Sequence, residues 1–303
     1  MTPIADASFQ EASARQRIAA LLDAGSFVEF LPPSARVVSP HLGQLDAPVA
    51  FDDGVAVGRA VLNGEPVFVA AQEGGFMGGA VGEVHGAKLV GMLRRAVNER
   101  PRAVILLLES GGVRLHEANA GLIAVSEVMR AVLDARDAGI PVITLAGGAN
   151  GVFGGMGIVA RCTNAIVMSE EARLAMSGPE VIETAAGVEE FDARDRALVW
   201  RTTGGKHRYL LGDCQLLVAD SIAAFRAAAI TLLNKTSRQT SALDLATLEA
   251  EQAMLAARIA RYGAARDPLD IWRAMGVAEP QALPLMEAAD FVAAVDAVVG
   301  GAR

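Results

Sequence analysis

Two glycine-rich turns are the stretches of this sequence that could do chemistry. The first is Glu109-Ser110-Gly111-Gly112-Val113-Arg114, which follows the apolar run 103–108. The second is Gly147-Gly148-Ala149-Asn150-Gly151-Val152-Phe153-Gly154-Gly155-Met156-Gly157, which follows the apolar run 141–146. Short apolar runs of this kind read as strands buried on both faces. A turn built from Ser and Gly leaves peptide N–H groups unshielded, and glycine lets a ligand approach the backbone closely. If the two turns converge, they aim two peptide N–H groups at one oxygen. That is an oxyanion hole, suited to the carbonyl of a thioester and needing no side-chain donor. The competing reading is that these glycines only make tight turns.

Other chemistries fit less well. Neither turn contains the Gly-Lys-Ser/Thr of a P-loop. Gly155-Met156-Gly157-Ile158-Val159-Ala160 matches a dinucleotide fingerprint by letter, but it does not directly follow its strand as that fingerprint requires. Ser110 lacks the flanks of a nucleophile elbow and reads as a turn residue. His41, His85, His116 and His207 show no metal spacing, and His85 is expected to face solvent or a partner from its helix. Glu109 is either a general acid or base, or a structural carboxylate capping loop N–H groups. Arg114 could hold a carboxylate or phosphate, or form an ion pair with Glu109 or Glu117.

The elements that must position these turns read as alternating strands and helices. A helix is expected over 14–23, with Ile18, Leu21 and Leu22 on its apolar side and Arg15 and Arg17 on the other. An extended piece follows at 27–30, then a connecting arm over 34–50. Asn63-Gly64 between two Val-rich runs, 54–62 and 66–71, predicts a type I′ hairpin. Helices are expected over 83–98 and 122–137, the second burying Val125, Val128, Met129, Val132 and Leu133. Strands are expected at 103–108, 141–146 and 165–168, with a helix beginning near 155–161. An extended segment over 170–178 leads to Pro179, placed as the first residue of a helix running to 186. Residues 187–217 read as a charged, irregular loop or lid containing His207. Helices follow at 221–234, at 242–262, and, after a break at Pro268, at 285–299.

The chain has 303 residues, enough for one large or two small domains. It carries a formal net charge of −8 and no basic patch, which argues against nucleic-acid binding. Two isolated cysteines, Cys162 and Cys214, cannot form a four-ligand zinc site. The first residues lack the apolar core of a signal peptide, and no apolar run reaches the roughly 20 residues of a membrane span. The expectation is a cytoplasmic protein without membrane or metal.

Several of these stretches, taken in order, resemble the acyl-CoA carboxylase carboxyltransferases. They are the helix from Ala14 to Phe27, Asp53-Gly54-Val55-Ala56-Val57-Gly58, Asn63-Gly64-Glu65-Pro66-Val67, Gly78-Gly79, the Glu109 turn, and Ser177-Gly178-Pro179-Glu180-Val181-Ile182-Glu183. The resemblance covers about 14–235. It implies an α/β fold of the crotonase-like ββα spiral type, with layered sheets covered by helices and a helical C-terminal tail. The implied division is a carboxyltransferase domain at 1–235 and an extension at 236–303 that packs on the domain or on a partner. Three departures stand out. The usual Asp-Ser-Gly-Gly-Ala-Arg appears with Glu109 and Val113, no four-cysteine zinc ribbon is present, and the chain holds one crotonase-like half where the family builds its site between two.

With Phe76-Met77-Gly78-Gly79 and Arg114-Leu115-His116-Glu117-Ala118-Asn119, the chain looks most like β subunits of biotin-independent malonate decarboxylases. That likeness implies a γ-subunit partner, further complex subunits, and a malonyl thioester on the phosphopantetheine arm of an acyl carrier protein, with no biotin. It puts the oxyanion donors at Gly111/Gly112 and Gly154/Gly155, and Met156, Ser177 and Gly178 along the acyl pocket. His116, Glu117, a water or a partner residue is the proton donor. Two alternatives stay open: the carboxyltransferase β subunit of an acetyl-CoA carboxylase-like biotin enzyme, and a non-catalytic assembly subunit.

Overall fold

A computed structural model describes residues 7–46, 49–117, 119–235 and 244–299. Helix α1 (Ala14–Leu21) opens with a capping box, in which the Ser13 hydroxyl accepts from the Gln16 amide and the Gln16 side chain accepts from the Ser13 amide. Strand β1 (Val28–Glu29) leads through the arm to the hairpin of β2 (Val55–Leu62) and β3 (Glu65–Gln72). Asn63 and Gly64 have φ of 52° and 79°, the left-handed pair that a type I′ turn demands. The chain then alternates: α2 (Glu83–Glu99), β4 (Ala103–Leu108), α3 (Asn119–Asp137), β5 (Val142–Ala146), α4 (Gly155–Arg161) and β6 (Ala165–Ser169). It continues through α5 (Pro179–Ala186), α6 (Arg196–Thr203), α7 (Gly205–Leu210), β7 (Leu216–Val218) and α8 (Ile222–Lys235). Helices α9 (Leu245–Tyr262), α10 (Pro268–Ala274) and α11 (Ala288–Val299) complete the described chain.

The seven strands form one sheet in the order β1 to β7, antiparallel from β1 to β3 and parallel from β3 to β7. Strand β4 is buried at every position, because Val104, Leu106 and Leu108 enter one core and Ala103, Ile105 and Leu107 the other. That two-sided burial is why its sequence is apolar without alternation. One core holds α2, α3 and α4; the other holds α1 and α8. The second layer of the spiral is slimmer than the expected stack of sheets. Among the described residues it consists of single bridges, Val81–Val113, Ser110–Val152, Val152–Leu174 and Arg173–Gly204, between segments outside the named strands.

Three expectations about packing change. Arg17, expected on the polar side of α1, is 1% exposed. On α3, Val125, Val128 and Val132 are buried, but Met129 is half-buried and Leu133 exposed. The contact is set by small residues instead, since Gly86 of α2 rides so close to Ala124 that any Cβ there would collide. The stripe therefore centres on Ala124, Ala131 and Ala135. The supposed lid at 187–217 contains α6, α7 and β7, held by Arg201–Asp267, Lys206–Glu170 and Arg208–Asp213 pairs. His207 is buried there, its Nδ1 accepting from Trp272 Nε1 at 3.0 Å.

The boundary expected at 235/236 adjoins 236–243, which lie outside the described residues. Beyond them, Trp272, Phe291 and Val295 belong to the same core as the sheet, so α10 and α11 complete it. Helix α9 buries no residue and is tethered by Arg258 to Asp213 at 3.1 Å. Among the described residues no helix is long and apolar enough to cross a membrane. Because Phe291 is wholly buried, Phe291→Ala should lower unfolding free energy by roughly 3–5 kcal/mol in urea denaturation. A change near zero would mean that the tail is merely laid on the domain.

Candidate active site

The two glycine turns meet. Ser110 donates its amide to Gly151 O at 2.7 Å and receives Phe153 N at its own carbonyl at 2.8 Å. A Cβ placed on Gly154 would lie 3.0 Å from the Gly112 Cα. Gly112 and Gly154 have φ of 133° and 60°, backbone that side-chain-bearing residues rarely adopt. Gly155 begins α4 directly against Val125 of α3, where any Cβ would collide.

Hydrogen bonds divide the four candidate amides into two kinds. Gly111 N–H donates to Gly78 O and Gly154 N–H to Met176 O, each at 2.8 Å, so both are spent on the protein's own carbonyls. Gly112 N–H donates to the Ser110 hydroxyl Oγ at 3.2 Å and to no backbone carbonyl. Gly155 N–H, at the first turn of α4, has no acceptor among the described residues. One amide in each turn is therefore not spent on a backbone carbonyl, Gly112 being held by a hydroxyl and Gly155 by no acceptor among the described residues.

Beneath the turns lies the Glu109 carboxylate, 5% exposed. Its Oε1 accepts Asn150 Nδ2 at 3.0 Å and the Asn150 amide at 3.2 Å. Arg17 Nη1 sits 2.8 Å from Oε2 but off the hydrogen-bond axis, so this is an ion contact with no linear bond. Gly74 and Gly148 press onto the same carboxylate, and a Cβ on either would strike it. Glu109 is thus the capping carboxylate of the two readings, with Arg17 as its cation in place of Arg114.

Arg114 serves a second buried cluster. It binds Asp52 in bidentate fashion, at 2.5 and 3.1 Å, reaches Glu117 at 3.1 Å, and donates Nε to Ala80 O at 2.9 Å. Burial pushes the Asp52 carboxyl up, but the hydrogen bonds and charge of Arg114 outweigh it and hold the group below its ordinary value. Glu117 is 2% exposed, and its second oxygen accepts the Glu83 amide at the start of α2. His116 is exposed and lines a cavity of about 330 Å³ with Ser39, Phe76, Met77, Arg114 and Glu117. Met156 is buried behind the second turn, while Ser177 and Gly178 are half-buried next to Met176, whose carbonyl holds Gly154. Among the described residues no backbone hydrogen bond joins His116 to Gly154 or Gly155.

Sequence reasoning missed one polar link. Gln72, wholly buried at the end of β3, accepts the Glu109 amide at 3.1 Å, and its Nε2 faces His85 Nε2 at 3.0 Å. His85 is therefore inside and not facing solvent: α2 turns it toward the sheet, where Gln72 waits. Its only sequence signal is a glutamine closing an otherwise apolar strand. Burial lowers His85 to about 3, so the ring is neutral and accepts from Gln72. Among the described residues no group of three or more His, Cys, Asp or Glu is arranged to hold a metal.

Two outcomes follow from these buried charges. Arg17→Met strands the Glu109 carboxylate and should cost roughly 3–5 kcal/mol in urea unfolding, with Arg17→Met/Glu109→Gln recovering much of it. Recovery by the double variant separates charge burial from lost packing. His85 and His207 are both lowered by burial to about 3, so below their unfolded value near 6.5 the unfolded chain binds more protons. Stability should be fully present above pH 6.5 and fall on acidification toward about 3, at about 1.4 kcal/mol per pH unit per histidine. Unfolding at pH 6.5 and 5.0 checks this, and His85→Leu should roughly halve the slope over that interval.

Residues 10–235 match the carboxyl transferase domain family. The malonyl-S-ACP:biotin-protein carboxyltransferase of Malonomonas rubra is 42% identical over 312 aligned positions, covering 96% of each chain. Among solved structures, a chain of the malonate-bound Pseudomonas malonate decarboxylase hetero-tetramer superposes with a TM-score of 0.72 at 43% identity, over 77% of this chain and 86% of that one. A chain of the Pseudomonas MdcD–MdcE hetero-dimer gives 0.63 at 38% identity, over 78% and 92%. The chain belongs to the carboxyl transferase family, as one of its malonate decarboxylase-type subunits with the crotonase-like fold.

Proposed function

We propose that this chain decarboxylates a malonyl thioester carried on the phosphopantetheine arm of an acyl carrier protein, together with a γ subunit that supplies a second crotonase-like half. The observation that carries the reading is the approach of Gly112 to Gly154, with the amides of Gly112 and Gly155 uncommitted to any backbone carbonyl. Free malonate decarboxylates poorly because its carboxylates cannot store the electrons left behind, whereas a thioester carbonyl can. The bond between the α-carbon and the carboxylate breaks, CO₂ leaves, and the electron pair moves onto the thioester oxygen. Gly112 and Gly155 N–H donate to that oxygen as its charge grows, and only stabilisation that grows in this way accelerates the step. A proton then adds to carbon, giving the acetyl thioester.

Both oxygens of Glu117 already accept N–H groups, from Glu83 and Arg114, so we place the source of the proton elsewhere. His116, exposed on its cavity wall, a water, or a residue of the γ subunit supplies it. Arg114 has Nε and both terminal nitrogens engaged, and so shapes the wall without gripping substrate. Met156, Ser177 and Gly178 flank the acyl group beside the second turn. No biotin is attached to this chain in this scheme.

The Malonomonas relative favours a second reading, since its name makes a biotin protein the acceptor of the carboxyl group. Enolate formation on this chain would be the same, with CO₂ captured instead of released. Avidin separates the two: release of CO₂ and acetyl thioester from the purified complex should proceed undiminished in its presence, and inhibition would favour biotin transfer. Gly112→Ala tests the chemistry itself. Space is open around that residue but its φ of 133° strains any side chain, so assembly and urea unfolding are measured beside kcat, which should fall about 100-fold in the variant that still assembles. Unchanged turnover with altered assembly would identify an assembly subunit. Gly155 is the poorer test, because any side chain there strikes Val125.

A further inference from the structure

A second cationic feature stands beside the glycine turns and has no part in the scheme above. Arg173 runs alongside the second turn: its carbonyl accepts Val152 N at 2.8 Å, and a Cβ on Gly151 would lie 3.2 Å from its own Cβ. Its guanidinium lies 4.8 Å from the Trp200 ring centroid and caps the Ala149 carbonyl. From α6, Arg196 lies 5.3 Å from the same ring. Two like charges therefore share one indole.

Among the described residues neither arginine has a carboxylate within ion-pair distance, although most arginines of this chain do. Arg201 and Lys206, on the wall of the adjoining cavity of about 390 Å³, are spoken for by Asp267 and Glu170. Arg173 Nε is buried without a hydrogen-bond partner. Burial draws Arg173 below its ordinary value; the charge of Glu180 opposes this, and the like charge of Arg196 adds to it. Glu171 also lines the cavity, but burial raises its carboxyl above the usual range and softens its repulsion of an anion. Two planar guanidinium groups short of a counterion are suited to the paired oxygens of a phosphate.

We propose that Arg173 and Arg196, flanking Trp200, bind the phosphate of the arm that delivers the thioester to the two glycine turns. Gly151, against which Arg173 packs, is four residues from Gly155, at most roughly 14 Å of extended chain. A flexible amide-linked arm anchored at the arginines can thus present its thioester to the amide donors. The inference rests on the thioester reading above, and its test is a binding measurement that does not depend on turnover.

The test titrates 4′-phosphopantetheine and pantetheine into the full-length chain assembled with its partner subunit. The wild type should bind the phosphorylated arm about tenfold more tightly, and the preference should weaken with salt. Arg196→Gln, at an exposed position, should reduce it severalfold, and Arg173→Gln/Arg196→Gln should abolish it, with Arg173→Lys/Arg196→Lys restoring part. A wild type without preference, or a double glutamine variant that keeps it, overturns the proposal. In kinetics, the double variant should narrow the ratio of kcat/KM for malonyl-phosphopantetheine over malonyl-pantetheine at least fivefold. Comparing malonyl-carrier protein with malonyl-CoA shows which source of that phosphate is favoured. If the phosphate preference holds while no malonyl thioester loses CO₂, the decarboxylase reading fails and this one stands.

Discussion

The buried contact between Arg17 and Glu109 is the constraint on which the site depends. Taking a carboxylate out of water is costly unless donors and an opposite charge come with it. Here they come from two distant places in the chain. Arg17 arrives on α1, where its Nε and Nη2 are fixed by the carbonyls of Phe9 and Gln10. Asn150 supplies two donors from the second turn, while Gly74 and Gly148 let the backbone close over the carboxylate. The group that caps the end of β4 therefore also fixes the height of the second turn relative to the first. Moving Glu109 would release the N-terminal helix, the loop after the hairpin and the Asn150 turn together.

That anchoring explains how a site can be made from peptide groups. A backbone N–H is useful to a ligand only if the fold leaves it unpaired and still holds it in place, and unpaired buried amides are rare. The turns meet this condition by spending neighbours. Gly111 is tied to Gly78 and Gly154 to Met176, and those bonds clamp the residues on which Gly112 and Gly155 ride. Two amides are spent on carbonyls, and their neighbours at Gly112 and Gly155 are not. The bridges Ser110–Val152 and Val152–Leu174 do the same for the flanking backbone. The thin second layer of the spiral is best understood as this clamp.

Much of the scaffold was legible from sequence because its causes are local. The run at 103–108 is apolar at every position since both of its faces are buried, and Asn63-Gly64 names its turn directly. What stayed hidden depends on partners far along the chain. Arg17 looks like a surface arginine until Glu109, ninety-two positions away, is brought to it. His85 reads as facing solvent or a partner from α2, yet it meets Gln72 in the interior. The region 187–217 looked irregular because its helices are short and its charges are satisfied by Glu170, Asp213 and Asp267. The glycine turns themselves were visible, but nothing local says which amides Gly78 and Met176 will consume.

The two departures in the first turn follow from the same packing. A longer acid at 109 needs a pocket deep enough for one more methylene, and Gly74 and Gly148 provide it while Asn150 and Arg17 gather at its end. The larger residue at 113 needs room on α3, and Gly121 faces it so closely that a Cβ there would lie 2.5 Å from Val113 Cγ1. Each enlarged side chain is thus matched by glycines on a neighbouring segment, which keeps the backbone between them, Ser110-Gly111-Gly112, on its path. Side chains around such a turn can vary in size provided the change is absorbed elsewhere, because what the chemistry requires is the direction of two N–H bonds. The identity of the side chains matters only through the positions they impose on that backbone.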